Sequence, residues 1–164
     1  MPAIDEAALK QHIRDKAFAP VYVLYGDDVY LKQQYARKIA SKIAGKDGEF
    51  AVQRFSGEDF SAAVCFDAVS TPPLTGGDKC VLVCDWDPGA AGAQEQKAMK
   101  ELLSEPFEGC TLVFWFDAVE LDPKKSAKHR DFLAAAGKLG CGVQLDHPDA
   151  AALVQRQPRV PCQA

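Results

Sequence analysis

The chain has 164 residues, of which 48% are hydrophobic, with a formal net charge of −4 and a predicted pI of about 5.4. This length suits one domain with a sizeable core, and the acidic balance provides no overall electrostatic basis for wrapping nucleic acid. The longest apolar run, Leu112 to Phe116, is far too short to cross a bilayer, and the acidic N-terminus lacks the features of a signal peptide. We therefore expect a cytoplasmic protein.

Helix and strand patterns alternate along the chain. Continuous apolar runs predict buried strands, and apolar residues repeating every three or four positions predict amphipathic helices. The predicted strands are Val21–Tyr25, Ala51–Phe55, Cys80–Cys84, Thr111–Phe116 and Gly142–Leu145. The predicted helices are residues 4–16, the segment from Asp27 or Asp28 to Gly45, Asp59–Val69, Gln94–Ser104 and residues 122–136. Strands separated by helices predict a parallel sheet covered on both faces, so we expect a three-layer α/β domain of about five strands over residues 1–147.

Cap residues mark two of the predicted helix starts. Asp27 or Asp28 is expected to cap the second helix, which Gly45 ends. Asp122 is expected to cap the last helix, with Pro123 at its first position.

The turn after the first predicted strand has the layout of a phosphate-binding loop without its chemistry. Such a loop needs glycines, a lysine that meets the phosphate charge and a hydroxyl that binds Mg²⁺. Here Gly26 is followed by Asp27 and Asp28, two carboxylates where a triphosphate would lie, and we identify neither the lysine nor the hydroxyl at the helix start. The turn therefore predicts a nucleotide-binding fold that takes no nucleotide cofactor, and this favours a partner-binding role.

The six cysteines do not predict a metal site. None belongs to a C-x-x-C pair, and no histidine stands at zinc-finger spacing from any two of them. We expect no bound metal and interpret most of the cysteines as buried free thiols that behave as small hydrophobes. They are Cys65, Cys80, Cys84, Cys110, Cys141 and Cys162.

Five segments carry a family resemblance through their order and spacing. They are residues 20–31, 55–57, 66–76, 79–85 and 121–125. Together they resemble the N-terminal domain of the delta subunit of the bacterial DNA polymerase III clamp loader, over nearly the whole chain to about Val154. The resemblance implies a P-loop-NTPase-like clamp-loader fold without a working ATP site. It also implies a role in DNA replication, as a non-catalytic subunit of a DNA-directed DNA polymerase holoenzyme.

The resemblance implies that the sliding clamp is the partner. In that family this domain binds the ring-shaped clamp (beta subunit) through an apolar plug and helps to open it. The plug corresponds here to Pro72, Pro73, Leu74, Thr75 and Gly76, and Thr75 replaces the aromatic residue that the family usually has. Two prolines stiffen this loop and so reduce the entropy lost on binding, while Leu74 provides an apolar anchor. The alternative is that Leu74 packs onto its own domain.

The resemblance also sets expectations for the C-terminus and for other partners. Family members continue through a small helical domain and a helical collar that holds the loader together. Residues 148–164 are therefore expected to be the start of that helical domain followed by a disordered tail. Other clamp-loader subunits would bind only the full-length protein, DNA would be contacted indirectly, and no membrane partner is expected.

A basic cluster lies near the start of the last predicted helix. Lys124, Lys125, Lys128, His129 and Arg130 form a basic run that would suit DNA phosphates or an acidic partner, although such runs are more often solvated faces.

The alternative function is a receiver-like phosphoacceptor signalling domain. In it Asp27, Asp28 and Asp85 would form a Mg²⁺ site and Asp85 would be phosphorylated. However, no lysine follows the fifth predicted strand and no hydroxyl follows the fourth. A nucleotide-binding enzyme ranks lower still because of the acidic turn.

Overall fold

The computed structural model describes residues 3–71, 77–104 and 109–146, which form a six-stranded sheet with helices on both faces. The strands are β1 (Ala3–Ile4), β2 (Val21–Tyr25), β3 (Val52–Ser56), β4 (Lys79–Cys84), β5 (Cys110–Trp115) and β6 (Cys141–Gln144). The helices are α1 (Glu6–Asp15), α2 (Val29–Ala44), α3 (Ala62–Ser70), α4 (Ala93–Leu102) and α5 (Ala127–Ala136). Short 3₁₀ turns cover Gly45–Ala51 and Gly57–Asp59.

All the strands run parallel, in the order β1-β6-β2-β5-β4-β3. β2 lies inside the sheet, where its Val23 is opposite Phe114 of β5 on one side and Gly142 of β6 on the other. Because a parallel sheet is covered on both faces, its inner strands need apolar residues at every position rather than at alternate ones. This explains the uninterrupted apolar runs of β2, β4 and β5.

Two hydrophobic cores, one on each face of the sheet, confirm the three-layer prediction. On one face α3, α4 and α5 cover an aromatic cluster in which the rings of Phe114 and Phe132 lie 5.0 Å apart and those of Trp86 and Phe132 lie 5.4 Å apart. On the other face α1 and α2 bury Leu9 and Ile39 completely. Each such side chain contributes about 1.5–3 kcal/mol through burial, so both layers stabilise the sheet.

The N-terminal boundary differs from the prediction. Residues 4–16 were predicted as one helix, but Ala3 and Ile4 pair with Gly142 and Val143 of β6 and add a sixth strand at the sheet edge. α1 begins only at Glu6, because the side chain of Asp5 accepts a hydrogen bond from the Ala8 N–H at 2.8 Å and caps the helix there.

The start of the last helix was predicted wrongly. Asp122 does not cap α5: its Oδ1 accepts the Lys124 N–H at 2.9 Å and its carbonyl accepts the Ser126 N–H at 3.1 Å, which closes a separate turn. Ser126 caps the helix by accepting the His129 N–H at 3.3 Å. Likewise α3 begins after Ser61 rather than at Asp59, whereas the predicted cap of α2 by Asp28 and its end at Gly45 are confirmed.

The described cysteines are free thiols, as predicted. Burial raises the pKa of Cys65 to about 12 and that of Cys110 to about 11, so both remain protonated and unreactive at neutral pH. Cys84 is only half-buried, yet its pKa is raised to about 12, by burial first and then by the neighbouring Asp85 carboxylate. Cys162 lies outside the described residues. In the part of the chain that is described, no helix is long and apolar enough to cross a membrane.

Candidate functional site

The turn that follows β2 is packed tightly against the end of β6. Gly26 has φ +115°, and a Cβ atom built on it would lie 2.3 Å from the carbonyl oxygen of Leu145. Only glycine permits both that backbone conformation and that approach. The turn therefore lies directly against the neighbouring strand, at the carboxyl edge of the sheet where α/β proteins usually bind ligands.

Three backbone N–H groups around the start of α2, those of Asp27, Asp28 and Leu31, are already used by the protein itself. The Asp27 N–H donates to Asp146 Oδ1 at 2.9 Å, and the Asp28 N–H donates to the Leu145 carbonyl at 3.0 Å. The Leu31 N–H donates to Asp28 Oδ1 at 3.0 Å. A phosphate at a helix N-terminus depends on such N–H groups. Here carboxylate and carbonyl oxygens of the chain occupy them.

Asp28 is the predicted cap of α2, and this role takes its side chain away from the open part of the turn. Its residue is only 6% exposed, because its side chain turns back to cap α2. Asp27 remains exposed at the turn. Of the two predicted carboxylates, Asp28 therefore closes the helix end and Asp27 alone faces solvent.

Lys32 corrects the prediction that the turn lacks a lysine. It stands six positions after Gly26, the interval between the first glycine and the lysine of the G-x-x-x-x-G-K motif, although Leu31 and Gln33 replace the second glycine and the hydroxyl. Its residue is 3% exposed, and its Nζ donates to the Gly26 carbonyl at 2.7 Å. The motif's spacing could have revealed this residue.

The charge of Lys32 is balanced within the protein. Burial lowers the pKa of its ammonium group, and the carboxylates of Asp117, Asp85, Asp27 and Asp28 oppose that effect. The ammonium group of Lys32 is thus attracted by four carboxylates around the turn while its hydrogen bond goes to the Gly26 carbonyl.

Asp85, the residue at which the receiver hypothesis placed the phosphoacceptor, has a structural role. It adopts φ +64° at the end of β4, and its two carboxylate oxygens accept the N–H groups of Asp117, Ala118 and Val119 at 2.8, 3.1 and 3.0 Å. Although burial opposes ionisation, these backbone bonds hold the pKa of Asp85 below its usual range. The carboxylate thus fixes the loop that follows β5.

The predicted Mg²⁺ site of the receiver hypothesis does not form. Within residues 3–71, 77–104 and 109–146, no group of three or more His, Cys, Asp or Glu side chains is arranged to hold a metal ion. Asp28 faces the helix end and Asp85 binds backbone amides, so the three predicted ligands serve other contacts.

A cavity of about 500 Å³ lies beside the turn, between the ends of β2, β5 and β6. Asp27, Asp117, Glu120, Asp122 and Asp146 line it, together with two lysines and several uncharged residues. Its acidic lining disfavours a phosphate ligand electrostatically.

The basic run divides into an exposed part and a buried residue. Lys124, Lys125, Lys128 and Arg130 are exposed, as expected of a solvated face, and their predicted contact with DNA or an acidic partner stays a prediction.

His129 corrects the prediction for that run, because it is only 8% exposed. Its Nδ1 accepts the Asp122 N–H at 2.9 Å, and its Nε2 lies 3.0 Å from Asp87 Oδ1. An Nδ1 that accepts a backbone N–H carries no proton, so Nε2 is the protonated nitrogen and donates to Asp87. His129 therefore links two loops.

The predicted plug, Pro72 to Gly76, lies outside the described residues. The residues on either side are well fixed: the Thr71 hydroxyl donates to the Asp67 carbonyl at 2.6 Å at the end of α3, and β4 begins at the buried Lys79, whose Nζ donates to Gln53 Oε1 at 3.1 Å. β4 thus begins at the sheet edge opposite the Gly26 turn.

The chain matches a known protein family. Residues 22–138 match the family model described as DNA polymerase III, delta subunit, which is more than half of the chain. The chain belongs to this family. The predicted family resemblance is therefore confirmed.

Solved structures share the fold at low sequence identity. The Bacillus subtilis DNA clamp loader delta protein (YqeN) matches at 16% identity with a TM-score of 0.71, over 92% of this chain and 45% of that one. A DNA polymerase III gamma subunit-related protein from Thermotoga maritima matches at 15% identity and a TM-score of 0.58, over 90% and 49% of the two chains. The P-loop NTPase domain of an Escherichia coli sigma-54 transport activator matches at 12% identity and 0.50, over 88% and 94%.

These likenesses support the P-loop-NTPase-like, clamp-loader-type fold that the sequence predicted. The chain spans less than half of the length of the Bacillus subtilis delta protein. Among curated protein sequences, none matches this chain.

Proposed function

We propose that this domain binds the sliding clamp of the bacterial replicase and helps to open it. The observation that carries the proposal is the delta-subunit family match over residues 22–138, which includes the loop from Pro72 to Gly76. A clamp-binding role needs an exposed apolar anchor rather than a catalytic centre. Leu74 provides such an anchor in the sequence of that loop.

The loop's attachments favour this role. Thr71 is bonded to Asp67 in the last turn of α3, and Lys79, the first residue of β4, is bonded to Gln53 of β3. Only a short segment of sequence therefore separates two fixed ends. Pro72 and Pro73 restrict the backbone further. A loop that is already restricted loses less entropy on binding.

The turn at Gly26 supports a non-catalytic role. The N–H groups of Asp27, Asp28 and Leu31, the Lys32 ammonium group and the Asp28 carboxylate all have partners within the chain, which leaves them poorly suited to hold Mg²⁺-ATP. We therefore infer that the domain acts through binding alone and takes no nucleotide cofactor. The contacts of a complete delta subunit with other loader subunits are part of the same proposal.

Substitution of Leu74 tests the clamp site. One leucine that enters an apolar pocket contributes about 1.5–3 kcal/mol, so Leu74→Ala should weaken binding to the cognate clamp about tenfold or more. Surface plasmon resonance with immobilised clamp measures this. Thermal unfolding should be nearly unchanged, since the proposal assigns Leu74 to the clamp contact and not to the core of its own domain.

Two further variants make the test specific. Thr75→Phe should strengthen binding by restoring the aromatic group usual in the family. Tyr30→Ala is the matched control, because Tyr30 is an apolar residue 47% exposed at the opposite edge of the sheet, and it should leave affinity unchanged. If Leu74→Ala instead lowers the melting temperature while clamp affinity stays the same, Leu74 packs inward and the clamp site lies elsewhere.

A further inference from the structure

A groove with an apolar floor separates α4 from α5. It encloses about 320 Å³. Trp86, Met99, Leu103 and Phe132 line its floor, and each of them is no more than 6% exposed. The groove therefore lies directly over the main aromatic core of the domain. It suits the insertion of one apolar side chain better than contact with the flat surface of a partner.

The rim of this groove is basic. Lys97 and Lys100 lie on α4 and Lys128 lies on α5, while Asp131 is the single carboxylate in the lining. All four side chains are exposed. Within the described residues, neither Lys97 nor Lys100 forms a hydrogen bond or an ion pair, so their charges are available to a ligand. This local excess of positive charge contrasts with the net charge of −4 of the whole chain.

The wall at one end of the groove is held in place by side-chain hydrogen bonds. Gln96 Nε2 donates to the carbonyl oxygens of Pro88 and Ala91 at 3.1 and 2.7 Å. The contact between His129 and Asp87 holds the same loop from the other side at 3.0 Å. A groove whose walls are already ordered loses little entropy when a ligand enters.

We propose that this groove binds an acidic peptide segment of a partner protein, with one apolar side chain inserted between α4 and α5. The floor accounts for the apolar anchor, and the three lysines account for flanking carboxylates. Single-stranded nucleic acid fits less well, because its bases stack on broad exposed ring faces. Trp86 and Phe132 are only 5% and 6% exposed at the bottom of the groove, which allows contact with the tip of one inserted side chain but not stacking of a base on a whole ring. None of the residues that line the groove belongs to the segment proposed for the clamp.

A designed peptide tests the proposal. The probe is a short fluorescein-labelled peptide of aspartates around one phenylalanine, titrated with the purified chain at low salt and followed by fluorescence anisotropy. Saturable binding is expected. The second measurement is a ¹H–¹⁵N NMR spectrum of the ¹⁵N-labelled protein with the same peptide without its dye. The indole N–H signal of Trp86 should shift and that of Trp115 should not, because only Trp86 lines the groove.

Charge reversal on the rim provides the decisive variant. The double variant Lys97→Glu, Lys100→Glu should weaken peptide binding at least about tenfold, because attraction becomes repulsion at the rim. Its melting temperature should stay close to that of the parent, since both side chains are exposed. Lys42→Glu on α2, an exposed lysine on the other face of the sheet, is the matched control and should bind as the parent does.

Each other outcome overturns the proposal. If the peptide fails to saturate, or if Lys42→Glu weakens it as much as the rim variant does, the attraction is unspecific. If a peptide with serine in place of phenylalanine binds equally well, the floor plays no part. If free phenylacetate binds as tightly as the peptide, the groove is a small-molecule site. Clamp binding by the rim variant should be unchanged, which separates failure here from failure of the clamp proposal.

Discussion

Two concave regions of this domain differ in how their polar groups are used. The cavity beside the Gly26 turn is the larger, about 500 Å³ against about 320 Å³ for the groove between α4 and α5. It lies at the carboxyl edge of the sheet, the usual ligand site of α/β folds. Yet Lys32 donates to Gly26, Asp28 caps α2 and Asp85 binds three backbone amides.

The groove has the opposite character. Lys97 and Lys100 have no polar partner among the described residues, and an apolar floor lies between them and α5. A ligand at the turn would have to displace internal hydrogen bonds, each of which is costly to leave unmade. A ligand that binds Lys97 and Lys100 displaces no hydrogen bond of the described residues, and Lys128 makes only one long bond, to the Gly89 carbonyl at 3.4 Å. The size and position of a cavity therefore say less about binding than the engagement of its polar atoms does.

The largest expected effect on stability comes from the variant Gly26→Ala, which would push the turn away from β6. In Gly26→Ala, the new Cβ would meet the Leu145 carbonyl at 2.3 Å, and alanine disfavours φ +115°. We expect the free energy of unfolding to fall by about 3 kcal/mol, from overpacking and backbone strain together. Urea denaturation followed by circular dichroism measures this.

Gly92→Ala is the control for that variant. Gly92 has φ −70°, and a Cβ there would meet no atom within 4 Å, so its loss of stability should stay within about 1 kcal/mol. If both glycine variants unfold at the same urea concentration, the turn is not closed against β6 as the structure indicates.

The fold could be predicted from sequence to a large extent, because its signals are local. Uninterrupted apolar runs identified the strands that are buried on both faces, and Asp28 and Gly45 marked the ends of α2. The errors arose where two residues competed for one role. Asp122 and Ser126 are both good caps, and only the tertiary contact of His129 with the Asp122 N–H shows that Asp122 closes a turn instead.

The candidate site was less predictable, because pairings between distant residues decide it. Asp27 contacts Asp146 across 119 positions, and Asp85 contacts residues 32 to 34 positions away. No local pattern encodes these contacts. Lys32 is different, because its spacing from Gly26 is visible in the sequence. The two aspartates that follow Gly26 are the stronger local signal, and they indicate a turn that repels phosphate.

A smaller effect is expected from Asp85→Asn. Asparagine also tolerates φ +64°, but its amide has only one acceptor oxygen, and its NH2 group would face a backbone N–H. The change therefore removes the negative charge and at least one of the three hydrogen bonds, and we expect a loss of about 2 kcal/mol at neutral pH. The folded pKa lies below the ordinary 3.8, so the carboxylate stabilises above that pH and its contribution is lost as pH falls through the folded pKa.

Denaturation curves of both proteins from neutral to acid pH check this dependence. The difference in stability between parent and Asp85→Asn should be constant down to about pH 4 and should shrink below it. A difference that grows on acidification would mean that the carboxylate is not ionised in its bonds to the loop after β5.

The smallest effect is expected from ATP, and here the two cavities should behave oppositely. A ligand present at a thousand times its dissociation constant stabilises a protein by about 4 kcal/mol, so micromolar binding of Mg²⁺-ATP would raise the melting temperature by several degrees at millimolar concentration. We expect no shift, because Asp146, Leu145 and Asp28 already accept three of the N–H groups at this turn, and the acidic lining of the cavity repels phosphate. Mg²⁺ alone is the control for ionic effects, and the acidic peptide should raise the melting temperature under the same conditions. A saturable shift with ATP and none with the peptide would mean that the cavity beside the Gly26 turn binds ligands and that the groove between α4 and α5 does not. The hydrogen bonds at the turn would then have to break when phosphate binds.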